Sequence, residues 1–152
     1  MDTLLRIIRP LWFSSPGISL FMGGVLWVVA LTQVVFYTNE GVVMGYWVLA
    51  TGWLGFTLFQ FAWYANLLEF LGVLLMQRYP NRAMALVVAG VFLAGQAFWF
   101  NEIPDEHANM QIVQLGAGFW LWYASMVLIT LGVIFGSGEG ELAPPPDSVD
   151  KS

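Results

Sequence analysis

The stretch Trp53–Met76, WLGFTLFQFAWYANLLEFLGVLLM, decides how the chain is read. It is apolar enough for a bilayer, yet it carries Gln60, Asn66 and Glu69. A carboxylate at the centre of a membrane helix costs about 2.5 kcal/mol or more on insertion scales, so it persists only where it protonates, pairs or meets water. Two placements fit. A crossing from Tyr46 to Leu68 leaves Glu69 at the interface, with Phe70–Gln77 continuing along the surface. A crossing from Trp53 to Met76 puts Glu69 inside the hydrocarbon, and tilt leaves enough slack for either. Asn66, three residues before Glu69, would share a polar patch with it, whereas Gln60 would lie on the opposite side of a helix.

Working outward, the whole chain has the composition of a lipid-embedded protein. Of its 152 residues, 59% are hydrophobic and 10% charged, and mean hydropathy is +0.72. Soluble domains run nearer about 45–50% apolar and about 25% charged. The absence of cysteine excludes disulfides, thiolate metal sites and thiol nucleophiles. A net charge of −5 without a basic stripe argues against nucleic acid.

Three more apolar runs flank the central one. Gly17–Tyr37 follows Ser14, Ser15 and Pro16, which suit a helix start. Its length exceeds a signal-peptide core and it ends in VVFYTNE without a small-residue cleavage pattern, so an uncleaved span is expected. Ala83–Phe100 and Ile112–Phe135 supply the others, and SGEGELAPPPDSVDKS closes the chain as a polar tail expected to be disordered. The resulting expectation is an all-α fold, a polytopic membrane protein built as a four-helix antiparallel bundle with short loops. Its transmembrane domain would cover residues 1–136, with spans at about 17–37, 46–76, 83–100 and 112–135, and the tail residues 137–152.

Four of the five basic residues, Arg6, Arg9, Arg78 and Arg82, fall in the N-terminal segment and the second loop. Glu40 and the acidic loop Glu102–Glu106 occupy the other connections. The positive-inside rule then places both termini in the cytoplasm, and the short loops suit a bacterial inner membrane. Arg6 and Arg9 would also reach lipid headgroups from an apolar N-terminal segment.

Small residues mark packing faces, because lipid gives helices no hydrophobic reason to associate and close fit must do so. Gly23, Gly24, Gly52, Gly55, Gly132 and Gly136 stand out, as do the pairs Ala85/Ala89 and Gly90/Ala94. Gln33, Gln96 and Gln114 read as interhelical amides, each worth about 0.6 kcal/mol. His107 beside Asp105 and Glu106 reads as a solvated loop, and the aromatics around Trp99 and Trp120 as an interface belt. No GxSxG, HExxH, P-loop, GxGxxG or CxxC pattern occurs.

The expected function is accordingly non-enzymatic: binding another membrane protein or a membrane-active toxin, as an accessory subunit or immunity protein does. The alternative is a small oligomeric transporter or channel subunit with Glu69 as an intramembrane proton or cation site. No cofactor or metal is expected. The expected partners are membrane lipids and either another membrane protein or a second copy of the chain.

Overall fold

The protein's structure, a computed structural model, describes residues 15–103 and 109–138, and 73% of it is helix. Arg6, Arg9, the Asp105–His107 part of the acidic loop and the 139–152 tail lie outside the described residues. The helices are α1 (Ser15–Leu31), α2 (Gly45–Thr51), α3 (Ala65–Leu75), α4 (Pro80–Gly95) and α5 (Ala117–Gly138). Three 3-10 turns, Gly52–Leu58, Ala62–Tyr64 and Gln96–Trp99, join them. The strands are β1 (Val34–Thr38), β2 (Gly41–Met44), β3 (Glu102–Ile103) and β4 (Met110–Leu115).

The buried helix faces follow one rule. On α3 and its lead-in turn, the buried positions are Ala62, Ala65, Glu69 and Gly72; on α4 and its exit they are Ala83, Val87, Gly90, Ala94 and Ala97. Steps of three and four alternate, the spacing of a left-handed seam between helices. Nearly all the residues on that seam are small. A Cβ added to Gly72 would strike the Val87 side chain, and one at Gly132 would lie 2.6 Å from Leu20 Cγ. The large apolar residues point the other way: Phe92 is 81% exposed, Phe70 63% and Leu74 60%. A water-soluble fold rarely leaves so much apolar surface bare.

α1 packs chiefly on α5, while α3, α4 and α5 meet one another. Pro16, Met76 and Gly136 come together at one end. That is the end of the Arg78–Arg82 turn, where both guanidinium groups lie over the Tyr79 ring at 5.6 and 5.2 Å. At the other end the helices run into a four-stranded sheet of order β2-β1-β4-β3, antiparallel throughout. Glu40 and Glu102 belong to this end, so acids and arginines occupy opposite poles of the bundle.

The sheet corrects the all-α expectation. Residues 34–37 are Val, Val, Phe and Tyr, which favour extended chain, so the expected 17–37 helix stops at Leu31. The Thr38 hydroxyl closes the β1–β2 turn by accepting from the Gly41 N–H at 3.1 Å, and Gly41 adopts φ 152°, a region open to glycine. β1 finds its second partner in β4, Phe36 facing Leu115 and Tyr37 facing Gln114. The expected 112–135 span therefore starts as a strand, and its helix begins only at Ala117. Gln114 is an exposed residue of β4 rather than of a helix.

The expected 46–76 span is broken as well. After α2 the chain tightens into 3-10 turns and reverses at Phe59, which is left-handed at φ 57°. Gly55 lets the returning backbone close in: a Cβ there would be 2.8 Å from the Gln60 carbonyl oxygen. Among the described residues two helices, rather than the expected four, are long and apolar enough to cross a membrane: Pro80–Trp99 and Ala117–Ser137. Pro16–Leu31 and Ala62–Leu75 are shorter apolar helices.

Adjacent glycines on α1 test the seam. A Cβ at Gly23 would sit 2.7 Å from Ile129 Cγ1 and 3.1 Å from the Ile129 nitrogen, whereas nothing lies within 4 Å at Gly24. In denaturant titrations of the detergent-solubilised protein, Gly23→Ala should lose about 1–3 kcal/mol. Gly24→Ala should be neutral or gain up to about 1 kcal/mol from helix propensity.

Candidate binding site

The polar residues singled out on the central stretch fall into three separate groups. Asn66, on the first turn of α3, holds three helices together. Its Oδ1 accepts from the indole N–H of Trp27 on α1 at 2.9 Å and of Trp122 on α5 at 3.0 Å. Its Nδ2 donates to the Trp63 carbonyl at 2.8 Å. An indole nitrogen only donates, so the amide orientation is fixed by its partners.

Glu69, one turn on, belongs to a different group. It is 2% exposed, and its Oε1 accepts from the Thr130 hydroxyl of α5 at 2.9 Å. The same hydroxyl lies 3.3 Å from the Val87 carbonyl of α4. Gly90 leaves room for the carboxyl, since a Cβ there would be 3.2 Å from Oε1. Oε2 is buried without a hydrogen-bond partner among the described residues. Neither Arg78 nor Arg82 approaches: both sit exposed on the turn beyond α3. Asn66 and Glu69 thus form no common patch, because each is engaged by a different residue of α5.

Gln60 and Gln96 hold the chain reversal. Gln96 Nε2 donates to the Phe59 carbonyl at 2.8 Å while its Oε1 accepts from the Phe61 N–H at 2.7 Å. Gln60 Nε2 donates to the Glu102 carbonyl at 2.6 Å, tying the reversal to β3. A left-handed turn frees backbone groups from helix pairing, and here the Gln96 side-chain amide satisfies them.

Between these groups and the sheet lies an apolar cavity of about 130 Å³. Its walls are the ends of α1 and α5 (Trp27, Trp122), the inner face of the sheet (Val35, Phe36, Val43) and the α2 segment with its following turn (Trp47, Val48, Leu54). Ala62 and Ala97 form its floor toward the bundle. No group of three or more histidine, cysteine or acidic side chains that would hold a metal occurs among the described residues.

Comparison with protein-family models, with curated proteins and with solved structures finds no match to this chain. The sequence reading missed Trp27 and Thr130, and it placed Trp122 in an interface belt rather than on Asn66. Two tryptophans inside apolar runs carry N–H groups that need acceptors, and the nearby amide of Asn66 was the signal available for them. Thr130 had none, since a hydroxyl inside a helix commonly bonds its own backbone.

A double-mutant cycle separates the two roles open to Glu69. Thr130→Val should lose about 1–3 kcal/mol by stripping the carboxyl of its donor, whereas Thr130→Val with Glu69→Met should recover most of that, because both partners are then apolar. Asn66→Leu should lose a similar amount and blue-shift tryptophan emission as two indoles lose their acceptor in an apolar site. Unfolding titrations with fluorescence detection measure both.

Proposed function

We propose that the chain is an integral membrane protein that crosses the bilayer four times, with α1, α3, α4 and α5 as the spans. The Arg78–Arg82 turn and both termini face the cytoplasm, and the sheet faces the opposite side, in a bacterial inner membrane. Support comes from the mostly small-inside, large-outside distribution on α1, α3 and α4 and from the arginines and acids at opposite poles. The shorter helices α1 and α3 carry as much outward apolar bulk as the longer two: Phe21, Val28, Phe70 and Leu74.

Its role in this reading is non-enzymatic binding of another membrane protein, in the manner of an accessory subunit or immunity protein. The observation that carries it is on α4. Of the two small-residue pairs there, Gly90/Ala94 is buried in the bundle, but Ala85 and Ala89 are exposed. They form a shallow groove beside Phe92, which stands 81% exposed. A groove next to an aromatic knob fits a facing helix closely, whereas lipid chains gain little from it. A second reading, a transporter or channel subunit, is favoured by the unpartnered Glu69 Oε2. Proton or cation flux in liposomes that Glu69→Gln abolishes would support it, and absence of flux from the wild type would remove it.

The chain lacks cysteine, so single cysteines report topology cleanly. In intact cells a membrane-impermeant maleimide should label Asn39→Cys at the hairpin and spare Asn81→Cys beside Arg82; the reverse pattern inverts the orientation. A photo-crosslinking residue at position 92 should give one discrete adduct in native membranes, lost in Ala85→Leu/Ala89→Leu. Crosslinks to lipid alone would overturn the partner role, and an adduct of twice the chain mass would identify a second copy.

A further inference from the structure

The cavity between bundle and sheet is closed to water by chemistry rather than by size. A buried water needs about two to four hydrogen-bond partners, whereas an apolar void of about 150 Å³ stays dry and takes up small apolar molecules. The polar side chains on this cavity are Asn66, Gln60 and Thr51, and each is already engaged. Asn66 Oδ1 receives two indole donors and its Nδ2 donates to Trp63. Gln60 Nε2 donates to the Glu102 carbonyl, and the Thr51 hydroxyl donates to the Trp47 carbonyl at 2.8 Å. The Trp63 indole, also on the wall, donates to the Leu49 carbonyl at 3.0 Å. What remains facing the 130 Å³ is mostly hydrocarbon and aromatic ring, with the Trp47 indole and the Gln60 carbonyl oxygen as polar exceptions.

The rim indicates where an occupant would come from. Trp47 and Leu54 line the cavity and are at the same time 55% and 39% exposed, so they stand at its mouth. Their neighbours on the same segment, Trp53 and Phe56, are exposed aromatics stacked at 6.5 Å. The opening is therefore framed by apolar side chains of α2 and the following turn, and lies apart from the Glu40 hairpin tip. In the four-span reading this segment lies where hydrocarbon gives way to headgroups.

We propose that the cavity is a binding site for a hydrocarbon chain, supplied by an acyl chain of a bilayer lipid that enters between Trp47 and Leu54. The 130 Å³ takes the end of such a chain and leaves its headgroup outside, so the shape and saturation of the chain end set selectivity, and headgroup charge does not. Binding there would hold the α2 segment against the sheet and the end of the bundle, linking the outward aromatic surface to lipid composition. The inference rests on the membrane reading and deepens it.

The protein in detergent micelles is titrated with dibrominated phosphatidylcholine and, separately, with brominated dodecanoic acid, while tryptophan emission is followed. Trp27, Trp63 and Trp122 on the wall should give a saturable quenching phase, above the linear quenching of surface tryptophans. Ala97→Leu fills the void from its floor and should remove the saturable phase while holding or raising thermal stability, since it occupies existing space. Leu54→Trp narrows the rim without touching the core and should weaken the phase at least several-fold. Linear quenching alone in the wild type, or a saturable phase unchanged in both variants, would overturn the site. Saturation by the fatty acid only would keep the hydrocarbon site and overturn bilayer lipid as its source. Extraction of the chain from cell membranes by alkaline carbonate tests the membrane reading separately. A chain released as a detergent-free monomer would sink that reading, whereas a retained chain lacking the saturable phase would sink only the cavity assignment.

Discussion

Close approach of helix backbones is the constraint from which the rest of this structure follows. Where the surroundings are as apolar as the side chains, two helices gain nothing by hiding hydrocarbon from each other, and contact must come from fit and from hydrogen bonds. Gly23 against Ile129, Gly72 against Val87 and Gly132 against Leu20 supply the fit. The hydrogen bonds depend on it. A threonine hydroxyl is short, and Thr130 reaches the Val87 carbonyl and Glu69 because α5 lies close to both α4 and α3 there, with Gly90 leaving room for the carboxyl. Small residues inside also decide what remains outside: Phe92, Phe70, Leu74 and Phe135 have no interior to enter.

The two poles use different packing. Toward the arginine turn the interior is Met76, Ala83, Val87 and Val133, with few aromatics. Toward the sheet it is Val35, Phe36, Val43 and Phe119, with Trp122 and Phe100 against them. Phe119 there is 6.1 Å from Phe36 and edge-on to Phe98 at 5.0 Å. A twisted sheet laid across the ends of round helices leaves irregular space, and rings fill most of it. What they leave is the cavity, bounded by the α2 segment and its following 3-10 turn, which form neither a long helix nor a strand.

Much of this was legible in the residues themselves. The apolar character, the two long apolar helices, the opposed arginine and acid poles and the packing role of small residues all follow from composition and spacing. The strands were hidden for a physical reason. Val34–Thr38 and Met110–Leu115 are apolar and abut helical runs, so hydropathy reads each as more of the same helix, and the pairing that makes them strands joins distant parts of the chain. The reversal at Phe59 was equally silent, because a sum of hydropathies carries no direction. Gln96 was singled out as an interhelical amide, but its actual partners are the two peptide groups flanking Gln60, which no spacing on a helix would reveal. Thr130 shows the same gap from the other side: the residue that engages Glu69 is an ordinary hydroxyl on a distant helix.

The pairing of β1 with β4 also bears on how the molecule is built. A ribosome delivers α1 and β1 early, but the strand that completes β1's second edge and the helix that fills the Gly23 face arrive last. Until then the first hairpin has one bare flank and the first helix lacks its main neighbour. The α3–α4 pair, contiguous in the chain and joined by a short turn, is complete well before that moment. Assembly would proceed from the middle outward, with α1 lacking its main neighbour until α5 has been made and closes the bundle against it.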